Sequence, residues 1–181
     1  MKKKHIAFTG GHAATTGLSV IEEFLEQKDD TLQMHWIGVE KAIEGENVDT
    51  SEKKVFPALG VSFHGITTGR LQVNWTRHTL VSLFKIPIGL VQSIALLAKI
   101  RPRVLVSFGG FASFPVVLAA FFLRIPVVIH EQTVAIGLAN KMSIVFAKKI
   151  LLARELSLSY FPAKKSNVIG NPLRKSILGV K

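Results

Sequence analysis

The stretch VLVSFGGFASFPVVLAAFFL, Val104 to Leu123, decides what kind of protein this is. It carries no charged residue, and a window of that length and hydropathy would satisfy a membrane-spanning helix. Its interior argues otherwise. Ser107, Gly109, Gly110, Ser113 and Pro115 break it with residues that punctuate turns. A parallel strand buried on both faces also reads as an unbroken apolar run. The stretch therefore predicts a strand over Val104–Phe108, a glycine turn, and a helix over Ser113–Leu123 with Ser113 as its cap.

The same alternation continues on both sides. Strands are expected at Ile6–Thr9, Gln33–Val39, Val61–Ile66, Val127–His130, Ile150–Ala153 and Asn167–Ile169. Helices are expected at Gly17–Gln27, where Leu18, Ile21, Phe24 and Leu25 recur at helical spacing, and at Ile136–Phe146. Glu40–Val55 is charged and reads as a loop. His78–Ile100 is a long helix with a kink or restart expected at Pro87. On a helical projection Ser82, Lys85, Gln92, Ser93 and Lys99 share one side, and the apolar arc is wider than the roughly 100° stripe a surface helix needs. Strands alternating with helices specify an α/β fold: a Rossmann-like, doubly wound parallel sheet.

Composition narrows the partners. Hydrophobic residues make up 48% and charged residues 19%, enough to bury one core. The absence of cysteine excludes a disulfide framework, a thiolate metal site and a thiol nucleophile. A net charge of +11 and a pI near 10.1 call for an anionic partner. Most phenylalanines lie in apolar runs and not among Lys and Arg, which disfavours a nucleic-acid groove and favours anionic lipid or diphosphate. The apolar run after Lys4 ends at Thr9, too short for a secretory signal.

Ligands of such sheets bind at the carboxyl ends of the strands. The polar and glycine residues of this apolar chain collect there: Thr9-Gly10-Gly11-His12, Ser107 to Phe111, His130-Glu131-Gln132-Thr133, and Gly170-Asn171-Pro172. The first turn offers backbone N–H groups to an anion, or is a plain tight turn; it has neither dinucleotide-binding nor Walker spacing. Gly109-Gly110 permits close approach of a ligand or of another backbone. The His130–Gln132 trio is either functional or a hydrogen-bonded network that holds its loop. Arg174 faces a ligand above the sheet, or solvent. His12, His130 and Glu131 lack a metal-ligand spacing, so no metal and no cofactor is expected.

Taken together, AFTGGH (Ala7–His12), FGGFAS (Phe108–Ser113), IHEQT (Ile129–Thr133) followed by GLANK (Gly137–Lys141), and GNPLR (Gly170–Arg174) resemble the MurG family, the undecaprenyl-diphospho-muramoylpentapeptide N-acetylglucosaminyltransferases of peptidoglycan synthesis. Order and spacing match along nearly the whole chain. The resemblance implies the N-terminal half of a GT-B glycosyltransferase. Residues 1–174 would be the acceptor-binding domain and 175–181 the start of a linker to a donor-binding domain, or to a separate donor subunit. It implies transfer of GlcNAc from UDP-GlcNAc to the 4-hydroxyl of a polyprenyl-diphosphate-linked muramoyl acceptor, with inversion. His12, then Glu131, would be the base or orienter. Thr9, Gly10, Gly11, Gly109, Gly110, Phe111, Gln132, Thr133, Asn171 and Arg174 would line the substrates. The family's GGTGGH, GGY and HEQN stand here with Ala7 and Phe8 for the first two glycines, Phe111 for the tyrosine, and Thr133 for the asparagine.

A lipid-linked acceptor requires a peripheral enzyme at the cytoplasmic face of the membrane. Phe84, Ile88 and Leu90, with Lys85 in the basic rim, would be its anionic-surface contact; the alternative is that the whole arc is core. Rival readings are a non-catalytic membrane-recruiting subunit and an enzyme like the UDP-GlcNAc 2-epimerases.

Overall fold

The computed structural model describes residues 3–11, 13–42, 48–68, 77–134 and 136–178, with the side chains of 77–84, Lys175 and Leu178 outside that description. Seven strands, β1 (Lys4–Thr9), β2 (Leu32–Gly38), β3 (Ser62–Gly65), β4 (Val104–Ser107), β5 (Val127–Glu131), β6 (Lys149–Leu152) and β7 (Ser166–Val168), form one sheet in the order β3-β2-β1-β4-β5-β6-β7. Every pairing is parallel. The helices are α1 (Ala14–Glu26), α2 (Ser51–Ala58), α3 (Arg77–Ile100), α4 (Ser113–Phe122), α5 (Leu138–Ser143) and α6 (Lys175–Leu178). The strand order reverses between β1 and β4, and the crevice at that reversal is where open α/β sheets take ligands.

Alternation along each strand splits the core in two. Ala7, Ile37, Leu105 and Ile129 meet Leu97, Val116 and Val117 on one face. Phe8, Trp36 and Phe108 meet Ala13, Ile21 and Phe56 on the other. Trp36 anchors that second layer, its ring 4.3 Å from Phe56 and 6.0 Å from Phe108. Val104 to Leu123 divides into β4, a turn and α4, as expected, and no helix among the described residues is long and apolar enough to cross a membrane.

Local expectations are corrected in several places. Glu40–Val55 contains the start of α2, which the Thr50 hydroxyl caps by accepting the Lys53 N–H at 3.3 Å. The apolar periodicity is weak there because Glu52 and Phe56 are the buried residues of that helix. Ser113 is not a cap: Ala112 holds that position, and the Ser113 hydroxyl donates to the Gly110 carbonyl at 2.8 Å. Ile136–Phe146 shortens to α5 and a 3-10 turn. Helix α3 does not restart at Pro87, which lies inside it.

Gln92 and Lys99 on the polar side of α3 face solvent, but Ser93 does not. Ser93 is fully buried and donates to the Gly89 carbonyl at 2.6 Å, a self-satisfied hydroxyl that packs like a small apolar residue. Leu90, Ile94 and Leu96 pack against the core, while Ile88 and Val91 are exposed.

Candidate functional site

Two glycine turns meet at the sheet reversal. The end of β1 and the end of β4 are joined by Phe108 N–H donating to Thr9 O and Gly11 N–H to Gly109 O, both at 2.9 Å. Gly109 and Gly110 have φ of +78° and +84°, values that favour glycine. A methyl on Gly110 would lie 2.6 Å from the Gly11 carbonyl oxygen, so the second turn rests directly on the first. The Phe111 ring lies across Gly11. Beneath them, the Ser107 hydroxyl accepts the Gly109 N–H at 3.3 Å.

The end of β5 completes the rim. Glu131 is buried at 4% exposure, and its carboxylate is occupied by its own surroundings. Oε1 accepts from the Thr133 N–H at 3.0 Å and the Thr133 hydroxyl at 2.7 Å, and Oε2 from the Asn140 carboxamide at 2.8 Å. Thus β5, its loop and α5 close on one carboxylate, and the Asn140 side chain lies against Gly109. Asn140 is the residue that sequence reasoning missed. It stood within the quoted GLANK segment, but only the fold shows that it links Glu131 to the β4 turn.

His130 points to the other face of the sheet, where its ring meets Phe108 edge-on at 6.0 Å. Its Nε2–H donates to the Gly170 carbonyl at 3.3 Å, tying the GNPL turn to β5. Burial pushes its pKa below the ordinary value, with the Gly170 bond and the nearby Glu131 opposing. Gln132 accepts from the Thr16 hydroxyl of α1 at 2.5 Å, and the Thr133 carbonyl from Ser157 at 3.0 Å.

Thr9, Gly10, Gly11, Gly109, Gly110, Phe111, Glu131, Gln132 and Thr133 thereby share one rim of the sheet. Asn171 is exposed beside the Gly170 carbonyl that His130 holds. Arg174 does not reach over the sheet: it pairs with Glu22 on α1, Nη2 to Oε1 at 2.8 Å and Nε to Oε1 at 3.1 Å, and this partner raises its pKa. His12 and the side chain of Phe84 lie outside the described residues. Lys85 is half-buried on α3. Among the described residues no group of His, Cys, Asp or Glu could hold a metal ion.

Residues 9–152 match the glycosyltransferase family 28 N-terminal domain. The chain is 41% identical over 159 residues to the UDP-N-acetylglucosamine--N-acetylmuramyl-(pentapeptide) pyrophosphoryl-undecaprenol N-acetylglucosamine transferase of Streptococcus thermophilus (strain ATCC BAA-491 / LMD-9), covering 86% of this chain and 42% of that protein. It is 37% identical over 177 residues to the protein of the same name from Legionella pneumophila (strain Lens), covering 96% and 46%. Acinetobacter baumannii MurG is similar at a TM-score of 0.71 and 22% identity, over 94% of this chain and 46% of that one. A UDP-GlcNAc 2-epimerase from Methanocaldococcus jannaschii reaches 0.61 at 17% identity, over 93% and 45%. At such identities the two structures speak to the fold alone. The chain spans less than half the length of the curated relatives it matches. With the family model covering most of its length and the two glycine turns and the β5 loop gathered at the strand reversal, the chain belongs to the glycosyltransferase family 28 N-terminal domain family.

Proposed function

We propose that this chain is the acceptor-side half of a glycosyltransferase that moves N-acetylglucosamine from UDP-GlcNAc to a polyprenyl-diphosphate-linked muramoyl-pentapeptide. A carboxyl-terminal donor-binding half, continuous with it or separate, would supply the rest of the cleft. The observation that carries this reading is the junction of the Gly10–Gly11 and Gly109–Gly110 turns, welded by the Gly11–Gly109 hydrogen bond at the strand reversal. The names of the curated relatives support the substrates.

In this reaction the acceptor hydroxyl must lose a proton as it attacks the anomeric carbon, and the leaving diphosphate must be stabilised. His12 is assigned the proton. Glu131, with both oxygens engaged by internal donors, is assigned the orientation of the β5 loop and, through Asn140, of the β4 turn. Arg174 would contact the donor only after leaving Glu22.

The enzyme is peripheral in this reading, meeting anionic membrane at its cytoplasmic face through Ile88 and Val91 of α3. Leu90 instead supports the core. A transfer assay with radiolabelled UDP-GlcNAc and polyprenyl acceptor, with and without the carboxyl-terminal half of a relative, tests the whole. Transfer only with both halves is expected. Acceptor binding without transfer in any combination would point to a non-catalytic recruiting subunit and refute the assignment.

A further inference from the structure

The rim has few charges left to offer a ligand. Glu131 engages both oxygens with Thr133 and Asn140, and Arg174 is paired with Glu22. Lys141 closes the last turn of α5, where a cation complements the helix end. One guanidinium is uncommitted. Arg154 stands two residues past Leu152, the last residue of β6, at the carboxyl end of the strand beside β5. It is exposed, and among the described residues its side chain has neither an ion pair nor a hydrogen bond. Glu155, next in sequence, opens the 3-10 turn Glu155–Tyr160 and makes no ion pair with it.

The side chain is free, but its root is fixed. The Ala153 N–H donates to the Glu131 carbonyl at 2.9 Å, which carries the β5–β6 ladder one residue further. The Arg154 carbonyl accepts the Ser157 N–H at 3.1 Å. Ser157, fully buried, donates its hydroxyl to the Thr133 carbonyl at 3.0 Å. On the other flank the Ile169 and Gly170 N–H groups both donate to the Leu152 carbonyl, at 2.9 and 3.3 Å. Arg154 thus rises from the same clamped loops as Glu131 and the Gly170 turn. A rigid root under a free head is how a scaffold presents a binding residue.

Reach and chemistry agree. Neighbouring strands lie about 4.8 Å apart, so the end of β6 stands roughly 10 Å from the end of β4 and its glycine turn. An extended arginine and a diphosphate together bridge that gap. The planar guanidinium matches phosphate oxygens in a two-point fork, which a lysine ammonium does not.

We propose that Arg154 is a phosphate-binding residue of this rim: it takes the oxygens of a diphosphate whose other side rests on the Gly109–Gly110 turn. The inference rests on reading the rim as a sugar-diphosphate site, and it supplies the cation that Arg174, held by Glu22, does not. The chemistry recognised is an organic diphosphate, which both the polyprenyl-linked acceptor and the nucleotide donor carry.

The test uses the whole chain as wild type, R154A, R154K and K164A, the last removing an equal charge before β7. Backbone ¹⁵N and arginine Nε spectra are recorded during separate titrations with geranyl diphosphate and with UDP. In the wild type at least one of them moves the Arg154 Nε signal together with the Ala153 and Gly110 amides. R154A weakens that ligand about tenfold, R154K recovers part of the loss, and K164A binds like the wild type. The ligand that loses affinity identifies which diphosphate Arg154 meets. The Phe8 and Leu105 amides stay in place in every variant, which separates the effect from unfolding. The proposal is overturned if R154A and K164A bind alike, or if R154K binds no better than R154A. A diphosphate that moves Gly11 and Gly110 equally in wild type and R154A refutes Arg154 and leaves the rim reading standing. No binding of either diphosphate by the wild type refutes both.

Discussion

Acid should weaken this fold through a line of histidines across three strands. His5 on β1, His35 on β2 and His64 on β3 are joined ring to ring, Nδ1 of His5 to Nε2 of His35 at 2.9 Å and Nδ1 of His35 to Nε2 of His64 at 3.0 Å. The rings stack at 5.2 and 5.3 Å. His35, in the middle, is 5% exposed, and its pKa is lowered from 6.5 to about 4 by burial first and then by His64 and His5. His64 is lowered too, by burial and then by Lys99 on α3. The folded state therefore prefers neutral His35. Its stabilising contribution is whole above pH 6.5 and drains away as pH falls towards 4, because the unfolded chain takes up the proton first. The full shift corresponds to roughly 3 kcal/mol. Partial access of water at this side of the sheet brings the expected loss to about 2 kcal/mol. Carboxylates titrate in part of the same range, so the measurement is a difference. Urea unfolding at steps between pH 7.5 and 4.5 is compared for the wild type and His35→Gln. The variant starts less stable and loses about 2 kcal/mol less on acidification. Parallel pH profiles, or a His35 imidazole titrating near 6.5 by NMR, would refute the reasoning.

Gly110→Ala forces a side chain into a φ of +84° and into the Gly11 carbonyl, and a loss of more than about 2 kcal/mol is expected by thermal or urea unfolding. Asn140→Ala removes a donor from a buried carboxylate and should cost about 1–3 kcal/mol, with reduced transfer in the reconstituted enzyme; Asn140→Ala with wild-type stability would remove Asn140 from the site's support. On α3, Ile88→Ser with Val91→Ser should weaken flotation with anionic liposomes and leave the unfolding midpoint in place. Leu90→Ser should do the reverse, losing about 2 kcal/mol of stability.

Much of this architecture was legible in the chain because local chemistry carries it. A buried parallel strand must be apolar on both faces, and a strand-to-helix turn at a crevice needs glycine. Val104–Ser107 and Gly109-Gly110 therefore announced themselves, as did the clustering of polar residues at strand ends. Contacts between distant segments leave no periodic trace. Ser93 stood among the polar residues on one side of α3 until packing buried it, and Glu52 read as part of a charged loop until α2 reached α1.

The order of apolar runs, turns and polar strand ends determined by itself that the chain would wind a parallel sheet and gather its reactive groups along one rim. Which of those groups stay open to a ligand was decided by tertiary structure alone. Glu131 turned inward to Thr133 and Asn140, Arg174 to Glu22, and Glu52 to Ala13. The reason is that a side chain's hydrogen-bond partner is chosen by proximity in space, and for Arg174 and Glu22, 152 residues apart, or Glu52 and Ala13, 39 apart, that proximity exists only once the sheet has closed its layers.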